Sequence, residues 1–429
     1  LAVERAGRYN IKHPVREGVF MTIEASGAGT RGRKIRLGMV GGGEGAFIGA
    51  VHRIAARIDD EYELVAGALS STAEKAKASG LALGLDPART YADFAAMAKA
   101  ESKREDGIEA VAIVTPNHVH APAAEAFLKA GIHVICDKPL TTTLADAKKL
   151  KKLVESTGLV FGVTHNYTGY PMVRHARELI RRGQLGDIRV VQVQYAQDWL
   201  TESLEASGQK QAEWRVDPKR SGAGGCIGDV GTHAFNLADF ITGLEVESLL
   251  ADLSAFGPGR TLDDNTQILL RYKSGARGML WASQVAPGNE NNLSIRVYGS
   301  KAGIEWHQEE PNHLLYTPFG QPAQIIGRGT GAALPSAARV SRVPPGHPEG
   351  YLEGFANIYT EIARAIRAHR GDDSAVQGKR DKGDKGGKRK APRLDPAVMF
   401  PTVDDGLKGV AFIEAAVKSS GKGGTWVKL

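Results

Sequence analysis

Two cysteines, Cys136 and Cys226, are all that the chain carries in 429 residues. That is too few for a disulfide framework, and neither stands in the paired Cys or His spacing of a metal site. A reducing compartment, and with it a cytoplasmic protein, is the expectation. Long apolar runs are missing too. No stretch approaches the roughly 20 residues that a membrane-spanning helix needs, and the first thirty residues mix Arg, Glu, Lys and Gly where a signal peptide has an apolar core. The twelve histidines include no H-x-x-x-H with a neighbouring acid, and no G-x-S-x-G turn marks a serine nucleophile. Neither a metal nor a membrane partner is therefore expected.

A neutral balance is also lacking, since the net charge is +7, but its location removes the hint of a nucleic-acid partner. Residues 378–393 alone hold eight Lys or Arg against two Asp, and residues 1–33 hold six basic against three acidic groups. The remainder is close to neutral, so no nucleic acid is expected to bind the folded body. A Lys/Gly/Asp-rich stretch such as KRDKGDKGGKRK cannot bury apolar surface and reads as a solvated, disordered insertion.

What is present is a regular alternation. Residues 1–33 lack periodicity and read as an amino-terminal arm, with Met21 a candidate natural start. From Lys34 short apolar runs alternate with helical patterns: KIRLGMVGG, YELVAGAL, EAVAIVT and HVICD suit buried parallel strands. APAAEAFLKAG and LADAKKLKKLVEST read as helices, the second stopped by Gly158. This places an α/β nucleotide-binding unit at residues 34–164. Beyond it, IRVVQVQYAQD, TQILLRYKSG, ARGMLWASQV and LSIRVYGSKAGIEW alternate as half-buried strands do. Residues 165–429 are therefore expected to form an α+β domain with an open, mainly antiparallel sheet, ending in helices on either side of the basic insertion.

The turn after the first strand reads Gly41, Gly42, Gly43, Glu44, Gly45, Ala46 and leads into the helical run from Phe47. This fits G-x-G-x-x-A. Glycine lets the backbone approach a pyrophosphate, and a helix N-terminus offers unpaired N–H groups to it. The second strand ends in Leu69, Ser70, Ser71 and Thr72, without the acid that commonly binds the adenosine ribose. Ser70, Ser71 and Lys75 could instead hold a 2′-phosphate, a leaning to NADP within NAD(P). Three further clusters follow. Thr115, Pro116, Asn117 and His120 come after the third strand, and Asp137, Lys138 and Pro139 after the fourth. Asp229 and His233 stand four apart in a Gly-rich segment, and a helix from Gly228 onward would put both on one face.

Together, T-P-N-x-x-H, A-G-x-H-V-x-x-D-K-P and G-G-x-x-x-D-x-G-x-H resemble the Gfo/Idh/MocA family of sugar and polyol dehydrogenases, from about Lys34 to Leu429 in element order. Asp137 stands where the family has Glu. The resemblance implies a Rossmann domain followed by the α+β domain, and NAD(P) held by Gly41, Gly43, Glu44, Gly45, Ala46, Phe47, Ser70, Ser71, Lys75, Thr115, Pro116, Asn117, His120, Asp137 and Lys138. It implies Lys138, Asp229 and His233 as catalytic groups, with the substrate also met by Asn166, Tyr167, Trp214 and Arg215. An imidazole with a pKa near the working pH suits His233 as the proton acceptor when hydride leaves a carbinol carbon. The substrate expected is a sugar, glycoside or inositol, and the assembly a homodimer or homotetramer. Two alternatives stay open: a relative with tightly bound cofactor that runs a redox-neutral hydrolysis, epimerisation or exchange, and a non-catalytic nucleotide-binding sensor.

Overall fold

The computed structural model describes residues 33–371 and 396–429. The arm at 1–33, apart from Arg33, and the basic insertion at 378–393 lie outside the described residues. The first unit runs β1 (Ile35–Gly41), α1 (Phe47–Ile58), β2 (Tyr62–Ala68), α2 (Ala73–Ala82), α3 (Phe94–Glu101), β3 (Ala110–Val114), α4 (His120–Lys129), β4 (His133–Cys136), α5 (Leu144–Thr157) and β5 (Phe161–Val163). Its strands pair in parallel in the order β2-β1-β3-β4-β5. β3 and β4 are buried at every position, as strands covered on both faces must be. Thr143 caps α5, accepting the Asp146 N–H at 3.2 Å, and Gly158 ends it in the left-handed conformation with φ 67°.

The chain continues through α6 (Pro171–Arg181), β6 (Ile188–Ala196), α7 (Lys210–Arg215), α8 (Pro218–Ser221) and α9 (Thr232–Thr242). It then adds β7 (Val246–Ser254), β8 (Asn265–Tyr272), β9 (Arg277–Ser283), β10 (Asn292–Gly299), β11 (Ala302–His307), β12 (His313–Pro318) and β13 (Gln324–Gly327). α10 (Pro335–Ala338), α11 (Tyr351–Arg370), α12 (Val403–Ser420) and β14 (Val427–Lys428) complete it. The second sheet has nine strands in the order β13-β12-β11-β10-β6-β9-β8-β7-β14, and only β6 and β9 pair in parallel. LSIRVYGSKAGIEW, read above as one strand, is the hairpin β10–β11, because Gly299, Ser300 and Lys301 turn the chain. α6 and α9 cover one face of this sheet, where Phe235 of α9 stacks on Phe412 of α12 with ring centroids 4.2 Å apart.

Residues 165–429 do not pack as one body, because α11 belongs to the core of the first sheet. Its Phe355, Ile358, Ile362 and Ile366 are at most 2% exposed and lie among Ile35, Leu37 and Met39 of β1. At ~2 kcal/mol for each buried side chain, peeling α11 away would cost on the order of 8 kcal/mol, as much as the net stability of many domains. α12 bridges both units, with Val403 and Val410 in one core and Phe412 and Ile413 in the other.

Three buried histidines give the fold an acid-sensitive stability. Burial pushes His52 down to about 4, and His133 and His165 down to about 3. His133 is held as a neutral acceptor by the Val160 N–H at 2.9 Å. An unfolded histidine titrates near 6.5, so below that pH the unfolded chain binds more protons. The stabilisation is complete above 6.5 and is lost as pH falls towards the folded values, at roughly 2 kcal/mol per histidine by pH 5. The urea midpoint is expected to drop steeply between pH 7.5 and 5; equal midpoints would contradict this.

Candidate active site

Strand order reverses at β1, with β2 on one side and β3 on the other, so a crevice opens at the carboxyl ends of these strands. Gly41 enters it with φ 76°, and a Cβ there would lie 2.5 Å from the Val114 carbonyl. At Gly43 a Cβ would lie 2.6 Å from both the Leu69 carbonyl and Ser79 Oγ. Ser79 Oγ accepts the Glu44 N–H at 3.1 Å, and Leu69 O accepts the Gly43 N–H at 3.1 Å, which pins the turn. Ala46 precedes α1 and no side chain caps that helix among the described residues. Its first-turn N–H groups therefore remain for an anionic ligand. This cradle fits a dinucleotide pyrophosphate. Gly45, also with positive φ, and exposed Glu44 and Phe47 form its rim. At the end of β2, Ser70 is half-buried, while Ser71 and Lys75 are exposed.

The loops after β3 and β4 are tied together by His120. Its Nδ1 lies 2.8 Å from the Pro139 carbonyl and its Nε2 3.0 Å from the Thr115 carbonyl. Burial lowers its pKa, and a neutral ring donates to one of these oxygens at a time. Asn117 Nδ2 donates to the Ser221 carbonyl at 2.9 Å, fastening the Gly-rich 221–231 segment to the first unit. Asp137 accepts at Oδ1 from the Lys138 N–H and from Thr164 Oγ1, both at 2.9 Å. It thus shapes the loop that delivers Lys138, which precedes a cis proline.

Lys138 Nζ donates to Asp229 Oδ1 at 2.6 Å and to the Asp229 carbonyl at 2.8 Å. The other carboxylate oxygen accepts from Arg215 Nε at 3.0 Å and Gln284 Nε2 at 2.9 Å. Burial alone would raise the Asp229 carboxyl, but Lys138 and Arg215 outweigh it and hold Asp229 well below the carboxylate range. Side-chain exposures of 13% for Lys138 and 19% for Asp229 leave the pair reachable by a small ligand. Helical backbone begins at Cys226, earlier than the Gly228 expected, and Ile227–Gly231 forms a π turn before α9. Such a widened turn is common at functional sites. It presents Asp229 just ahead of His233.

His233 is buried, and its Nδ1 has no partner among the described residues. Its ring meets His165 edge-on at 5.5 Å and Tyr167 at 4.9 Å between centroids. The expectation of a pKa near the working pH is corrected here. Burial pushes His233 well below its ordinary value, Lys138 and His165 add to this, and only the Asp229 charge opposes it. The ring is neutral, with a lone pair on one nitrogen.

Asn166 is 1% exposed, and its Nδ2 has no partner among the described residues. Thr115 Oγ1 and His165 Nδ1 are orphaned in the same way around the crevice. The Tyr167 hydroxyl is already taken by Tyr195 at 2.5 Å, and Tyr195 donates on to Asn291 at 2.7 Å. Trp214 stacks under the Arg215 guanidinium at 4.4 Å, with Trp199 at 5.9 Å. Cys136 and Cys226 are fully buried in different cores.

Sequence reasoning missed Gly49, Ser79 and Gln284. A Cβ at Gly49 would sit 2.3 Å from Gly42 Cα, so helix α1 touches the turn there. A glycine inside an otherwise helical run was the available signal. Nothing local marks Gln284, which reaches Asp229 only through the fold. Among the described residues, no helix is long and apolar enough to cross a membrane.

Fold and site together define an NAD(P)-binding oxidoreductase. Family models agree: residues 35–165 match an oxidoreductase family with an NAD-binding Rossmann fold, and residues 173–305 match the GFO/IDH/MocA C-terminal domain. The chain is 36% identical to an uncharacterized oxidoreductase of Bacillus subtilis, over 92% of this chain and 97% of that protein. A solved oxidoreductase from Sinorhizobium meliloti is 57% identical with a TM-score of 0.81, over 92% of this chain and 100% of the other. An inositol dehydrogenase homolog from Azotobacter vinelandii, solved with NADH and myo-inositol, is 36% identical with a TM-score of 0.83, over 92% and 98%. The chain belongs to the Gfo/Idh/MocA family and is an oxidoreductase with an NAD-binding Rossmann domain.

Proposed function

We propose that the enzyme reversibly oxidises a secondary alcohol of a sugar, glycoside or inositol, with His233 accepting the hydroxyl proton. The observation that carries this reading is the Lys138–Asp229 pair at 2.6 Å, joining the cofactor-side loop to the segment that leads into His233. A bound nicotinamide supplies the hydride acceptor. The Gly41–Ala46 turn, Thr115 and the 137–139 loop hold it, while Asn166 Nδ2 and the rim of Arg215 and Trp214 orient the polyol. Lys138 donates to the reacting oxygen and stabilises the negative charge that develops on it. Asp229 aims Lys138 through its Oδ1 and carbonyl oxygens, and its own charge raises the proton affinity of His233 as the hydroxyl proton arrives. The Azotobacter relative's bound myo-inositol supports a polyol substrate.

Purified protein with a panel of inositols, aldoses and glycosides is expected to reduce cofactor, read at 340 nm. The β2 end, with Ser70, Ser71 and Lys75 and no acid at 69–72, leads us to expect a lower KM for NADP⁺ than for NAD⁺. A lower KM for NAD⁺ would reverse that assignment. Silence across the panel with cofactor retained by the protein would replace net oxidation by the redox-neutral cycle.

The same reading includes a homodimer or homotetramer. The sheet face opposite α6 and α9 exposes Leu269 and Met279, paired across β8 and β9, and Tyr298 of β10 beyond β6, by 43–47%. Such an apolar sheet face calls for a cover. Light scattering that found only a 45.8 kDa species would exclude this assembly.

A further inference from the structure

A cavity of about 520 Å³ lies away from the crevice, between α6, α10 and residues 396–399. Five arginines line it: Arg174, Arg177, Arg181, Arg182 and Arg339. Two carboxylates pair with them among the described residues. Glu361 takes Arg174 and Arg339, and Glu178 takes Arg182. Arg181 has no side-chain hydrogen bond or ion pair among the described residues. Arg177 reaches only the Phe240 carbonyl and lies over the Phe240 ring at 4.6 Å, and its Nε has no partner there. The carboxylates that face Arg177, Asp239 and Asp405, are engaged elsewhere, by Lys408 at 3.0 Å and by the Thr402 N–H at 2.7 Å.

A helix C-terminus attracts cations, which accounts for Arg181 and Arg182 at the end of α6. It does not account for Arg177 one turn earlier on the same face as Arg181, where like charges repel. Burial and the charge of Arg181 both lower the Arg177 pKa, so an anion placed between the two relieves both. Guanidinium forks suit a phosphate, whose several oxygens accept from more than one direction. The cavity is much larger than a phosphate, and Pro335 and Met399 give it an apolar wall for an organic body.

We propose that this cavity is a second ligand site, binding a phosphorylated small molecule through Arg177 and Arg181. It is lined by the later turns of α6, the helix that starts just after Asn166 and Tyr167.

The test is calorimetric titration of the full chain, saturated with NADP⁺ so that both the pyrophosphate cradle and the Ser70, Ser71 and Lys75 position are filled. Inorganic phosphate is the first probe, then glycerol 3-phosphate, with glycerol as the uncharged control. Saturable binding at one site per chain is expected, several-fold tighter for glycerol 3-phosphate and absent for glycerol. Arg181→Glu, on an exposed side chain, is expected to weaken phosphate at least tenfold while leaving the thermal melt unchanged, and Arg177→Gln, which keeps an amide donor, to weaken it at least tenfold. Unsaturable heats, or the same affinity in Arg181→Glu, would overturn the site. Because this readout needs no turnover, its failure is separate from any failure of the proposed reaction.

Discussion

His233→Ala is expected to lower kcat/KM for the polyol by about 10²- to 10⁴-fold, the range that a positioned proton acceptor supplies, with cofactor affinity unchanged. The ring has no partner at Nδ1 among the described residues, is neutral, and lies next to the Lys138–Asp229 pair, so its removal takes the lone pair and leaves the charges. The pH profile adds a check. Because burial, Lys138 and His165 push the imidazole below its ordinary 6.5, the base stays unprotonated into mild acid, and the acid limb of kcat/KM should lie below that value. Steady-state rates at 340 nm decide both points. Activity within tenfold of the natural enzyme would move the proton-accepting role to Lys138 or to water.

Glu361→Leu is expected to destabilise the fold by about 3–5 kcal/mol, since it leaves a buried guanidinium without its counter-charge. Arg174 is 0% exposed and Glu361 1%, and Glu361 also accepts from Arg339 and, at 2.9 Å, from the Met399 N–H. Arg174 Nε donates to the Thr168 carbonyl at 3.1 Å, so the loop of Asn166 and Tyr167 is braced by the same cluster. Urea unfolding of Glu361→Leu, and of Glu361→Leu with Arg174→Met, separates charge from packing. The double variant should recover a large share of the loss, because two apolar groups can replace a buried ion pair. A single variant within 1 kcal/mol of the natural protein would show that the pair braces nothing.

Much of the first sheet could be read from the chain because the signals are local. KIRLGMVGG is a strand followed by glycines that only a positive φ or a close approach explains, and Gly41 and Gly43 sit as that reading requires. Thr143 and Gly158 bound α5 through contacts within a turn of themselves. The second sheet was harder. β7, β12 and β13 carry weaker alternation, and the β10–β11 hairpin hides in one continuous apolar pattern.

The sequence by itself determined the nucleotide-binding turn, the strands that carry it, and the residue types at the crevice, since each depends on a few neighbours and on backbone geometry. Only the tertiary structure decided which groups meet. Lys138 and Asp229 are 91 positions apart, Gln284 lies 55 beyond Asp229, and α11 joins a sheet whose strands end nearly two hundred residues before it. Such meetings are set by how distant apolar faces pack, and so is the low pKa of His233, which burial among Lys138 and His165 imposes on an ordinary imidazole.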